Sequence, residues 1–340
     1  MKDKTYSFVK ETKRDIYWEL RKKEIEFLRH PATGKIKEEF ADPVKKCFLC
    51  ESSKRDILFK KEGFTFFRCQ ECSFVYSDPQ IKEDKLVSAY KSSLSNDAWI
   101  DVLLSQTNYR YDIKKYTTGL KKLEAFRSPG KILDIGCSIG LFLKLARDRG
   151  WDPLGLELNT RAVKYAREKW NLPVIEKLLS EADFADATFD VVTLWGVIEH
   201  LKHPSEVLKE VQRILVPGGY ILTFCPNVES VVCRILHKEA SCFDGRNHCG
   251  YFSPVTLGYL FKKCGFEVVE ITSFQPELDT ILNYLDFRNP YLKESEKENP
   301  IKELIGSELS SVLEKILLDR KIGYKMMTLG RKIRIEKSIS

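Results

Sequence analysis

"KILDIGCSIGLF", residues 131–142, decides the fold. Its first residues have strand character and run into a turn that carries Gly136 and Gly140. After the turn, Leu141, Leu143, Leu145 and Ala146 recur at roughly helical spacing until Gly150. Strand, glycine turn and helix in that order open a βα unit. The turn then lies at the carboxyl end of a strand, where open α/β sheets bind their ligands. Small residues there let the backbone approach a ligand closely. The dinucleotide spacing GxGxxG is not matched, which argues against a pyrophosphate cradle for NAD. A tight turn with no ligand is the plain alternative.

The pattern continues on the C-terminal side. "DPLGLEL" reads as a second strand, and "NTRAVKYAREKW" as a helix with Asn159 as its N-cap. "LPVI" is a short third strand, and a fourth lies within "TFDVVTLWGVIEHL". "PSEVLKEVQRIL" is a helix, "PGG" breaks it, and "YILTFCPN" is a fifth strand. "SPVTLGYLFKKCG" and "FEVVEIT" give a further helix and a sixth strand, and "YKMMTLGRKIRI" gives a seventh. Alternation of this length predicts a doubly wound, mostly parallel α/β sheet of Rossmann-like type. Glu157 is the first acidic residue ending the second strand. Its carboxylate could accept from both hydroxyls of a ribose.

Upstream, "CFLCESSKRDILFKKEGFTFFRCQEC" holds Cys47, Cys50, Cys69 and Cys72 as CxxC, 18 residues, CxxC. Two residues between cysteines let both thiolates face one ion, and a second such knuckle completes a tetrahedron around Zn²⁺. Phe59, Phe64, Phe66 and Phe67 around Glu62-Gly63 suggest a β-hairpin between the knuckles, as in a zinc ribbon. Four thiolates leave no open position, so such a zinc would be structural. Four free thiols or a redox pair of CxxC motifs are the alternatives. Cys225, Cys233, Cys242 and Cys249 follow no metal-ligand spacing and read as packed thiols.

"LDIGCSIGLFL", "GLEL", "FDVVTLWGVIEHLKHPSEVLKEVQRILVPGGYILTFCPN" and "YFSPVTLGYLFKKCGFEVVEI" together resemble class I S-adenosylmethionine-dependent methyltransferases. The resemblance covers roughly residues 129–273 and is closest to a small-molecule branch with an N-terminal zinc-binding segment, often found in sugar or natural-product pathways. It implies that Asp134, Gly136, Cys137, Ser138 and Gly140 hold the methionine part of the cofactor, with Phe142 near the adenosyl group. It gives Glu157 the ribose hydroxyls, and Leu158 and Leu179 the adenine. Trp195, Gly196 and Val197 would lie below the methionine moiety and sulfonium. Ser138 replaces the middle glycine of the family's loop and fits if its φ stays negative. The acid that often binds the adenine amine has only Asp183 as a candidate.

Methyl transfer to a hydroxyl needs an in-line nucleophile and a group to take its proton. Candidates are His248, His200 and Glu199, with Asp244 and Arg246 as substrate contacts in the polar loop "FDGRNHCGYFSP". His203, beside Pro204, reads as a helix cap.

The expected organisation is a charged helical segment at 1–43, a zinc ribbon at 44–79, a helical lid at 80–127 and the cofactor domain at 128–340, with inserted helices at about 276–322. Tyr109 or Tyr111 could belong to the lid, although packing explains both. The 340 residues, 43% hydrophobic and 31% charged, contain no apolar run of the roughly 18 residues a membrane helix needs. The first residues carry no apolar stretch of signal-peptide type, so a cytoplasmic protein is expected. A net charge of +7 with dispersed basic residues reads as a solvated surface; a phosphate-bearing substrate or an anionic membrane surface is the other possibility. The leading expectation is methylation of a small molecule, a sugar or sugar nucleotide, at oxygen or carbon. RNA or protein as substrate, and a non-catalytic cofactor-binding module, are the alternatives. Oligomeric state is not readable.

Overall fold

The computed structural model describes residues 13–275, 277–287 and 300–333. Residues 1–12 of the expected N-terminal segment, and residues 276 and 288–299 of the expected insertion, lie outside these. The chain is an α/β structure around a seven-stranded sheet of order β12-β13-β10-β9-β6-β7-β8. The strands are β6 (Lys131–Ile135), β7 (Asp152–Leu156), β8 (Val174–Ile175), β9 (Phe189–Trp195), β10 (Leu215–Pro226), β12 (Phe266–Phe274) and β13 (Lys325–Lys332). β6 pairs parallel with β7 and β9, β7 with β8, and β9 with β10; β13 runs antiparallel between β10 and β12. The sequence places a break at "PGG", whereas β10 already begins at Leu215 and carries its register shift between Leu215 and Tyr220.

Both faces of the sheet are covered, as its apolar strands require. Leu133, Val192 and Ile221 face α7 (Pro204–Ile214) and α9 (Pro254–Lys263). Their neighbours Ile132, Val191 and Leu222 face α4 (Gln106–Glu124) and α5 (Leu141–Arg147). Local signals start the helices. The Asn159 side chain accepts from Ala162 N–H at 2.9 Å to cap α6 (Thr160–Trp170), and Ser253 with Thr256 forms a capping box on α9. His203 occupies the N-cap position of α7 but makes no capping bond; Pro204 inside the first turn starts that helix instead.

Before the sheet come α1 (Arg14–Leu28), β1 (Ala41–Asp42), β2 (Arg55–Lys61), β3 (Phe64–Cys69), β4 (Val75–Asp78), β5 (Gln80–Ile81), α2 (Glu83–Lys91) and α3 (Leu94–Leu104). β2 and β3 form the expected hairpin, turning where Glu62 and Gly63 have φ 54° and 90°. β4 adds to β3, and β11 (Gly250–Tyr251), just after His248, adds to β4. The four-stranded sheet β11-β4-β3-β2 therefore joins the cysteine segment to the loop that carries His248. The expected insertion between β12 and β13 holds two helices, α10 (Leu278–Phe287) and α11 (Pro300–Asp319); α8 (Val231–Leu236) lies in a different connection, after β10. No helix among the described residues is long and apolar enough to cross a membrane.

Candidate active site

The glycine loop closes on β7. Gly136 and Cys137 N–H both donate to the Leu156 carbonyl, at 2.8 and 2.9 Å. Gly136 has φ 71°, and a Cβ there would lie 2.6 Å from Val197 Cγ2. Gly140 has φ 77°, and its Cβ would lie 2.7 Å from Leu172 Cδ1. Conformation and space thus both demand glycine at these two positions. Ser138 does not keep the negative φ expected of it: it stands at φ 49°, in the left-handed region. The loop imposes that geometry so that Ser138 N–H reaches Glu157 Oε2 at 2.7 Å.

Glu157 accepts two further backbone bonds at Oε1, from Leu158 N–H at 2.7 Å and Asn159 N–H at 2.8 Å. Three N–H groups fix the carboxylate and leave lone-pair capacity for a ligand's hydroxyls. Desolvation nevertheless raises its pKa above the ordinary value. Asp134, 1% exposed, accepts from Thr193 Oγ1 at 2.6 Å, its register partner on β9. Burial, with the Glu157 charge adding to it, pushes Asp134 up to about 8.

Trp195 packs 5.2 Å from Phe142 and 4.9 Å from Tyr116 on α4, ring centre to ring centre, and its indole Nε1 has no partner among the described residues. Cys137 turns its side chain into the core, where a Cβ on Gly155 would meet its Sγ at 2.5 Å; burial holds the thiol well above its ordinary pKa. Gly196 N–H donates to the Phe224 carbonyl at 2.7 Å. Leu158 is half-buried at the strand end, whereas Leu179 is buried in the core beside Leu156 and Ile198. Asp183 is exposed. Tyr109 packs against Ile139, Leu141 and Ala162.

A second cluster stands after β9. Glu199, His200 and His248 each place a potential ligand atom within 4.8 Å of the others. The two imidazoles meet edge to face with centres 4.6 Å apart. His248 Nδ1 lies 2.7 Å from the Cys242 carbonyl; His200 Nδ1 lies 3.1 Å from the Asn247 carbonyl and 2.9 Å from Tyr90 Oη on α2. Against carbonyl partners each Nδ1 is the donor, which leaves the Nε2 lone pairs free. Desolvation lowers both imidazoles to about 4. Glu199 is 3% exposed, and its Oε2 has no partner among the described residues.

The loop bearing His248 is held from three sides. Ser77 Oγ on β4 donates to the His248 carbonyl at 3.2 Å, and Gln80 Nε2 donates to the Cys249 carbonyl at 3.3 Å. Arg21 of α1, 6% exposed, donates from Nε to Asp244 Oδ2 at 2.9 Å and pairs with Glu62 in the hairpin turn at 3.0 Å. Arg246 pairs with Glu24 of α1 and reaches Ser95 Oγ at 3.2 Å. Against the effect of burial, the Arg21 guanidinium holds Asp244 well below the usual carboxylate range. Asp244 and Arg246, expected as substrate contacts, are committed to this internal network instead.

The four ribbon cysteines converge, with Cys47 Sγ 3.6 Å from Cys72 Sγ and Cys50 Sγ 3.4 Å from Cys69 Sγ. Sulfurs around a tetrahedral zinc with bonds of about 2.3 Å would stand about 3.8 Å apart, so the set fits a soft ion. A hydrogen bond from Cys72 pulls the Cys47 thiol down to about 5. Cys233 and Cys242, read as packed thiols, are buried with sulfurs 3.4 Å apart.

Residues 107–271 match the family model described as "Methyltransferase domain". An enzyme of Thiobacillus denitrificans described as ubiquinone biosynthesis O-methyltransferase is 27% identical over 176 residues, covering 46% of this chain and 76% of that protein. The enzyme of the same description from Idiomarina loihiensis is 33% identical over 120 residues, covering 32% of this chain; the chain spans about half of that relative, 48%. A Mycolicibacterium smegmatis protein described as a probable S-adenosylmethionine-dependent methyltransferase is 30% identical over 173 residues, covering 48% of this chain and 62% of that one. A glycine loop braced by a strand-end carboxylate, on a sheet whose last strand is inserted antiparallel, and these matches agree: residues 107–271 carry a class I S-adenosylmethionine-dependent methyltransferase domain.

Proposed function

We propose that the protein methylates a small-molecule acceptor, a sugar or sugar nucleotide, at oxygen or carbon, and that it carries a structural zinc. The observation that carries the cofactor assignment is Glu157, whose carboxylate is aimed by three backbone N–H groups beside the glycine loop. The relatives named as O-methyltransferases of ubiquinone biosynthesis support a small-molecule acceptor. Once bound, S-adenosylmethionine supplies an electrophilic methyl carbon on its sulfonium. Asp134 and the backbone of Gly136, Cys137, Ser138 and Gly140 hold the methionine end. Glu157 accepts from the ribose hydroxyls, and Phe142 and Leu158 give the apolar surroundings of the adenosyl group. Trp195, Gly196 and Val197 form the floor beneath the reacting carbon. The acceptor's proton leaves at the Glu199, His200 and His248 cluster, which offers lone pairs and excludes water. Cys47, Cys50, Cys69 and Cys72 bind the zinc, which stiffens the ribbon rather than reading nucleic acid, since its aromatic residues Phe64 and Phe66 are buried.

Titration calorimetry with S-adenosylmethionine tests the first part. Glu157→Ala should weaken binding by about 10- to 100-fold, the worth of hydrogen bonds to a charged acceptor. Release of S-adenosylhomocysteine across a panel of sugar nucleotides and phenols tests the second. Turnover of phenols alone would defeat the sugar assignment.

A further inference from the structure

The Glu199, His200 and His248 cluster has a composition that proton removal alone does not explain. With both Nδ1 atoms engaged at backbone carbonyls, it presents two imidazole lone pairs and one carboxylate, and no proton donor between them. Glu199 Oε2 is enclosed without a partner among the described residues. A carboxylate taken out of water in that state is costly, because the lost hydration is not replaced. An acceptor hydroxyl brings one proton and can satisfy one of the three groups. A divalent cation satisfies all three together.

We infer that Glu199, His200 and His248 form a binding site for a divalent transition-metal ion, separate from the four-cysteine site. Two imidazoles and one carboxylate suit Mn, Fe, Co or Zn rather than the harder Mg or Ca. The surroundings are those of a ligand set: each imidazole gives its other N–H to a backbone carbonyl, which fixes the ring and exposes Nε2. Tyr90 and the Cys249–Glu199 backbone bond at 2.9 Å keep the two ligand-bearing segments together. Three protein ligands leave coordination positions open, so an acceptor oxygen can reach the ion. The inference rests on the proposed reading only in placing the acceptor there. It makes His248 a ligand instead of the proton acceptor: a bound ion would lower the pKa of the acceptor hydroxyl, whose proton then passes to solvent.

The test is metal content of the full-length protein, its ribbon site loaded with Co²⁺, after equilibration with micromolar Co²⁺ and gel filtration. Wild type should hold two ions per chain, and Glu199→Gln and His248→Ala should each hold one. Thermal melts establish that the variants are folded. In the visible spectrum the lost ion should take away only weak nitrogen–oxygen bands and leave the intense thiolate bands. One ion per chain in wild type, or a second ion retained by both variants, overturns the inference. If only one ion binds while His248→Ala still abolishes methyl transfer with cofactor affinity intact, the inference fails and the proposed acceptor end stands. If the second ion binds and both variants transfer methyl normally, the site stands and the acceptor reading fails.

Discussion

The cofactor end and the acceptor end of the candidate site are built in opposite ways. At the cofactor end, Gly136, Ser138, Gly140, Glu157 and Asn159 lie within one βαβ stretch and are held by hydrogen bonds from backbone N–H groups to acceptors in that same stretch. At the acceptor end, His248 is placed by groups far away in sequence: Ser77 at a separation of 171 residues, and Arg21, through Asp244, at 223. A local scaffold survives loss of the outer modules; a borrowed one does not. On the proposed reading, recognition of the acceptor therefore depends on the modules in front of the sheet.

The largest test of this contrast is removal of the proposed ribbon metal. Cys47→Ser should cost several kcal/mol, because isolated zinc modules draw about 10–16 kcal/mol from their metal, and the melting temperature should fall by about 5 °C. Hydrogen exchange should rise at residues 247–251, through loss of the β4–β11 pairing, while amides of β6 and β9 keep their protection. Equal loss at both ends would break the contrast.

Next comes Arg21→Ala, which leaves the buried Asp244 carboxylate without its guanidinium. The expected loss is about 3–5 kcal/mol in urea unfolding, with S-adenosylmethionine affinity unchanged. Combining Arg21→Met with Asp244→Asn should recover much of it, since the uncompensated charge goes too. A weakened cofactor affinity in the single variant would show that the two ends are coupled.

The same contrast governs what was legible in the sequence. The sheet, its glycine loop, Glu157 and the cysteine quartet were readable because each signal is a short spacing with a direct geometric meaning. Two features escaped. β4 and β11 pair over two residues only, too short to leave a period. Arg21 sits in "ELRKKEIEFL", where its charge looks like one more solvated residue, and only the fold shows it facing Asp244. No pattern at the N-terminus could have announced a partner 223 residues away. The adenine contact remained open for a related reason: Asp183 is exposed, and Leu179 belongs to the core.

Asp134 gives a pH test confined to the cofactor end. Its folded pKa of about 8 lies above the ordinary carboxyl value of 3.8, so the folded state holds a proton that the unfolded state has lost. Stability should fall as pH rises between those values, by at most about 1.4 kcal/mol per pH unit, and flatten above about 8. Asp134→Asn should remove the slope in melts from pH 5 to 9. Cofactor affinity should rise over the same window in wild type, as the carboxylate ionises to meet an ammonium. A slope that persists in the variant would assign it to other groups.

The smallest expected effect is at Ser138. A left-handed backbone costs a side-chain-bearing residue about 1–2 kcal/mol, and Ser138→Gly removes that cost. Glycine gives back about 0.5–1 kcal/mol through greater freedom of the unfolded chain. The net expectation is a gain of about 0–1.5 kcal/mol, or at most about 2 °C in a melt. The backbone bond from residue 138 to Glu157 is kept in the variant, so the ribose end should not change. The serine hydroxyl is lost, and if it bonds the cofactor carboxylate, affinity should drop by about 10-fold. Stability and affinity then move in opposite directions from one atom group, which separates a strain tolerated for binding from a strain that is merely inherited. A variant that gains stability and keeps its affinity would show that Ser138 serves the loop through its N–H alone.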